Sequence, residues 1–244
     1  MEAKIKMRNT KLLLVFLLVV SSFAIWVHAD PTGTSITYNF TDYGSTSTPA
    51  NRIDPGGSIT TIVLNAIQQN TKWKAYIGNI TGSLTLDDSL GNTIFDWTLT
   101  ASEISGEVYA SRASAITWAN IACVTPAIIT AEQSALGFTA SSVDNITNTF
   151  NETTHQAMIT AGVTIPANTC RSTATYINST KQSQGSAYFQ ELLLTDTSNL
   201  VYATFINQDL IGYDNSSSVD FQMILADDPS VVSTTYYFYA EIGG

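Results

Sequence analysis

Few side chains in this sequence have the type and spacing to do chemistry. A Ser-His-Asp relay needs a histidine to take the nucleophile's proton. The 244 residues contain two, His28 and His155, and His28 lies in the N-terminal leader discussed below. His155 sits in Asn-Glu-Thr-Thr-His-Gln with no Gly-x-Ser-x-Gly elbow anywhere in the chain. A lone histidine of this kind reads as structural. Glycoside hydrolysis needs two carboxyl groups converging on one bond. Glu103, Glu107, Glu191 and Asp220 have the right type, but their spacing singles out no pair. The doublets Asp87-Asp88 and Asp227-Asp228, with Asp214, offer the oxygens that calcium takes. Without an ion-binding spacing they read as solvated turns, where Asp is favoured in any case. The sequence therefore assigns no catalytic, cofactor-binding or metal residue, and the chain is expected to be non-catalytic.

Two cysteines remain, Cys123 and Cys170, with no Cys-x-x-Cys. In an oxidising compartment they are expected to pair. Closing that loop is worth about 4 kcal/mol of unfolded-state entropy. Among the aromatics, Trp73 and Trp97 fall on the apolar faces of their strands and read as core. Tyr237 and Tyr239 fall opposite the core-like face of the last strand. They are expected to contact a ligand, such as a sugar ring, or a neighbouring subunit.

The compartment follows from the first 29 residues. Lys4, Lys6, Arg8 and Lys11 precede the apolar run Leu12 to Trp26, and Val27-His28-Ala29 offers a small-residue cleavage site. This is the layout of a signal peptide cut after Ala29. A retained anchor and a pilin-type signal, cut before the apolar run, are the alternatives. Leu12 to Val27 falls short of the ~20 residues that span a bilayer. The expected location is extracellular or cell-surface, with membrane contact only through an uncleaved N-terminal segment. Without the leader the chain keeps 6 basic and 19 acidic residues, a net of −13. Such a surface repels phosphates, so nucleic acid is excluded as a partner. Self-association or surface glycans remain. Six N-x-Ser/Thr sequons, at Asn39, Asn79, Asn145, Asn151, Asn178 and Asn215, permit N-glycosylation. Composition alone yields about four of them, because Ser and Thr are so common.

These features must be positioned by strands. Short alternating segments separated by turns every 8–12 residues predict an antiparallel β-sandwich, jelly-roll-like or immunoglobulin-like. A short helical excursion is expected between the cysteines, with Thr125 as N-cap, Pro126 in the first turn and Gly137 as the stop. Val143, Ile146 and Phe150 suggest a second short helix, and Met158 to Ile165 is strand-like. A strand is expected at Ser35 to Phe40, before a Gly/Pro/Ser/Thr-rich linker that ends near residue 57. The β-branched run Ile59 to Ile67 predicts a buried strand, opening a single sandwich domain over 58–244. Hairpins are predicted at 83–99, with Leu84 and Leu86 facing inward, and around Asp196-Thr197-Ser198-Asn199. On the last strand Tyr236, Phe238, Ala240 and Ile242 form the core side.

The leader, the sequons and the Thr-rich strands resemble those of uncharacterised secreted or cell-surface β-sandwich proteins of archaea and other microbes. In layout the chain is similar to surface filament subunits, exported glycoproteins in which one subunit's terminal strand completes the next subunit's sheet. That resemblance implies an envelope, coat or filament subunit, with Thr34 to Phe40 as the donated strand.

Overall fold

The computed structural model describes residues 29–37, 40–45, 48–230 and 234–243. The leader up to His28 and the sequon at Asn39 lie outside them. Among the described residues no helix is long and apolar enough to cross a membrane.

The strands in chain order are β1 (Thr32–Gly33), β2 (Trp73–Gly78), β3 (Ser83–Asp87), β4 (Thr93–Thr98), β5 (Ser105–Ser111), β6 (Ala122–Cys123), β7 (Met158–Thr160), β8 (Val163–Ile165), β9 (Ser172–Ala174), β10 (Gln190–Thr195), β11 (Leu200–Phe205), β12 (Leu210–Ile211), β13 (Ser218–Val219), β14 (Phe221–Ala226) and β15 (Tyr237–Gly243). Two helices, α1 (Pro126–Ala135) and α2 (Ile146–Thr149), lie between β6 and β7. The fold is mainly β and antiparallel. The main sheet runs β1-β15-β5-β11-β10-β6, with β9 also on β10.

β10 shows how the sandwich is built. All six of its residues are buried, because both faces of the main sheet are covered. Successive side chains point to opposite faces. Leu193 joins Val108, Ala110 and Tyr202 on one face, beneath Met223 and Leu225 of β14, Ile129 of α1 and Ile146 of α2. Leu192 and Leu194 join Tyr109, Val201 and Tyr239 on the other, beneath Trp118, Met158 and Ile165. The antiparallel pair β14-β2 is thus the second layer of the sandwich. Trp73 of β2 and Ile242 of β15 pack into the first of these clusters.

The helical excursion is where the sequence puts it. Thr125 Oγ1 accepts a hydrogen bond from the Ile128 N–H, Pro126 opens α1, and Gly137 past its end has φ +69°. The Cys123–Cys170 disulfide closes the segment. It ties β6 to the start of β9, and both pair with β10. The second helix is a single turn in which Ile146 and Phe150 are buried while Val143 is exposed.

Four expectations are corrected. Ser35 to Thr37 is not a strand; the pairing lies just before it, at Thr32 and Gly33 against Ala240 and Tyr239. Met158 to Ile165 is a hairpin rather than one strand. Ala161 and Gly162 both take positive φ, 50° and 76°, which is the backbone of a tight two-residue turn. The 83–99 hairpin forms, pairing Leu84 with Trp97 and Leu86 with Phe95. Its apolar face is not buried: among the described residues these four side chains are 36–57% exposed. Finally, Ile59 to Ile67 forms no strand and enters no core: Ile59, Val63, Leu64 and Ile67 are 80–101% exposed.

Candidate functional site

Each chemically capable side chain named from the sequence has a definite place. His155 is buried and structural in its contacts. Its Nδ1 lies 2.6 Å from the Gln156 carbonyl, to which it donates, and Nε2 accepts from the N–H groups of Thr169 and Cys170 at 3.0 and 2.8 Å. This is the neutral tautomer, and burial holds the ring's pKa below its ordinary value. The imidazole fixes the loop that presents Cys170 to Cys123.

The four carboxylates considered as an acid–base pair do not come together. Glu103 accepts from the Thr100 N–H and hydroxyl at a helical turn. Asp220 accepts from the backbone of Ile80 and Asp209 and pins two loops. Glu191 on β10 is fully buried; its Oε2 accepts from the Ile224 N–H of β14 at 2.8 Å, and its Oε1 has no hydrogen-bond partner. Burial raises its pKa well above the usual carboxylate range, and the side chain bridges the two layers. Glu107 alone has a carboxyl neighbour, and that neighbour is Glu241, directly opposite on β15.

The Glu107–Glu241 pair lies beneath the β7-β8 hairpin. Glu241 Oε2 accepts from the Ala161 N–H at 2.8 Å, and the Tyr109 hydroxyl lies 3.3 Å from it and 3.1 Å from Thr160 Oγ1. Burial first, and the Glu241 carboxylate second, push Glu107 up to about 8, against a hydrogen bond from the Ile159 N–H. Like charges facing each other on adjacent strands are unfavourable, so one carboxyl keeps its proton. Glu107 and Glu241 clamp β7-β8 onto the sheet through the Ile159 and Ala161 N–H groups.

The acidic turns use their oxygens internally. Asp88 accepts from Leu90 and Asn92, Asp214 from Ser216, and Asp228 from Ser230. Among the described residues no group of three or more metal-ligating side chains forms.

Tyr237 and Tyr239 are separated by burial. Tyr239 packs 5.3 Å from the Trp118 ring and its hydroxyl donates to the Ala113 carbonyl at 3.0 Å. Tyr237 is exposed beside a shallow groove of about 290 Å³ along the β15 edge, lined by Gly33, Thr34, Ile36 and Ser114. Trp73 is core, its Nε1 donating to the Asp144 carbonyl, whereas Trp97 is on the surface beside Phe95, 4.9 Å away. A pair of tyrosines that alternation does not reveal, Tyr176 and Tyr213, is held by the buried Gln222 amide. Its Oε1 accepts from the Tyr213 N–H and its Nε2 donates to the Tyr176 carbonyl, while both phenols face solvent. Of the sequons, Asn79, Asn151, Asn178 and Asn215 are exposed. Asn145 is buried as the N-cap of α2, with Oδ1 accepting from the Asn148 N–H and Nδ2 donating to the Ala140 carbonyl.

Among the described residues, two apolar stretches stand out for their exposure: the Ile59–Ile67 run and the half-exposed Leu84, Leu86, Phe95, Trp97 face of β3-β4. No protein family, curated protein or solved structure matches the chain. The reading of its function rests on this geometry and on the sequence.

Proposed function

We propose that this chain is a non-catalytic structural protein of the cell surface, an envelope, coat or filament subunit that associates with its neighbours. The observation that carries the reading is the uncovered apolar surface. A fold that buries every residue of β10 leaves a nine-residue β-branched run in solvent and the apolar face of a hairpin half-exposed. Exposed patches of this kind mark surfaces that a partner covers. The N-terminal leader layout, the Cys123–Cys170 disulfide and the Ser/Thr-rich surface agree with export. The test is fractionation of native cells with size-exclusion chromatography and electron microscopy of the surface material. The chain is expected in that fraction, in assemblies larger than one copy. A strictly monomeric species in the medium refutes the reading.

A carbohydrate-binding module is the second reading, favoured by the solvent-facing Tyr176 and Tyr213 on their shared Gln222 support. A glycan array with the Tyr176→Ala and Tyr213→Ala variants decides it. Binding lost in both variants supports it, and the absence of any glycan binding removes it.

A further inference from the structure

We infer that Ile59 to Ile67 is an assembly strand that pairs antiparallel with the same segment of a second copy, about a two-fold axis at Val63. This rests on the proposed surface-subunit reading and names the contact that reading requires.

The segment reads Ile-Thr-Thr-Ile-Val-Leu-Asn-Ala-Ile. Folding it against itself about Val63 places Ile59 opposite Ile67, Thr60 opposite Ala66, Thr61 opposite Asn65 and Ile62 opposite Leu64. Every large apolar residue meets another, and the two central polar positions meet each other. A two-fold contact demands this self-complementarity, because the same patch must serve on both copies. In an antiparallel pair, directly opposed side chains lie close enough to pack. Both faces of the resulting ribbon carry apolar side chains: Ile59, Val63 and Ile67 on one, Ile62 and Leu64 on the other.

Charge permits the approach at this place. Residues 55–71 carry no ionisable side chain, in a chain whose residues from 30 onward carry a net −13. Elsewhere two acidic copies repel; here they do not. Area supports it as well. The five large apolar side chains, Ile59, Ile62, Val63, Leu64 and Ile67, are 54–101% exposed in the single copy. At about 100 Å² each the two copies present roughly 1,000 Å² of apolar surface for the ribbon and its backing to cover, near the lower bound for a specific interface. A neutral, β-branched segment left unpaired is also an aggregation hazard, and a defined partner strand resolves it. A two-stranded ribbon by itself is marginal. The uncovered face of β3-β4, with Leu86, Phe95 and Trp97, supplies apolar backing.

The test is cysteine cross-linking of the chain expressed in full. In the paired strand the two Val63 positions face each other at a separation a disulfide can bridge. Val63→Cys is expected to oxidise to a covalent dimer at least about tenfold faster than Ala50→Cys, an exposed control in the preceding linker. Val63→Asp, which sets two like charges opposite each other at the axis, is expected to run as a monomer where the unaltered chain runs as a dimer or larger species. Equal cross-linking at both cysteines, a monomeric unaltered chain, or an assembly that survives Val63→Asp overturns the inference. Surface assemblies whose Val63→Cys chains fail to cross-link remove this strand pairing and leave the surface-subunit reading standing. Cross-linked dimers in a chain absent from the surface fraction do the reverse.

Discussion

Replacing Glu107 by Gln tests the carboxyl clamp through its pH dependence. Glu107 faces Glu241 on β15, with Tyr109 beside it on β5 and the backbone of β7 above. Its folded pKa is raised from 4.5 to about 8. Between those values the unfolded chain has lost a proton that the folded protein keeps. The unfolded state then binds fewer protons, and stability falls as pH rises. Each pH unit in that window costs about 1.4 kcal/mol, so the window as a whole costs at most about 5 kcal/mol. The developing charge is shared with Glu241 and partly screened by solvent, which brings the expected difference to roughly 2–4 kcal/mol. Gln keeps the shape and can still accept from the Ile159 N–H, but it does not titrate. The assay is urea unfolding of both proteins at pH 4.5 and pH 8. They are expected to match at pH 4.5, with Glu107→Gln the more stable at pH 8. Glu191 titrates in the same direction in both proteins and cancels from the comparison. If the two proteins stay within about 0.5 kcal/mol of each other at both pH values, the spread of ordinary surface changes, the clamp reasoning is wrong.

Reducing the Cys123–Cys170 bond frees a loop of sequence separation 47 and is expected to cost about 4 kcal/mol. In a chain of this size that lowers the melting temperature by roughly 8–16 °C, read by calorimetry with and without reductant. Leu193→Ala opens a cavity beneath Met223 in a fully buried position, with an expected loss of about 2–5 kcal/mol in urea unfolding. Asn145→Gln is expected to cost about 1 kcal/mol through the lost helix cap. Its intact mass is expected to change by the substitution alone, whereas mutating any sequon among Asn79, Asn151, Asn178 and Asn215 that carries a glycan removes that glycan's mass.

Local rules read this chain well where one segment supplies all the information. Thr125, Pro126 and Gly137 mark α1 because capping and positive φ are backbone requirements of a few adjacent residues. The hairpins β3-β4 and β10-β11 form around their Asp/Asn turns for the same reason. Alternation on β15 separates Phe238 and Ile242 from Tyr237 and Tyr239 correctly. The same reasoning failed for Ile59 to Ile67 and for Trp97. Apolar character says that a surface prefers to be covered; it does not say that the same chain supplies the cover. The carboxyl pair was hidden for a related reason. Glu107 and Glu241 are 134 residues apart and meet only because β5 and β15 are neighbours in the sheet.

Composition and local pattern were therefore sufficient for the class of fold, the helical excursion and the two cysteines as partners, since each depends on residue type or on near neighbours in the chain. Strand order decided the rest. It set which faces of the main sheet are covered, buried Tyr239 under Trp118, placed two acids opposite each other, and left one β-branched run with no strand to pair with. Those outcomes depend on contacts between distant segments, and the hydrophobic driving force that makes them carries no address.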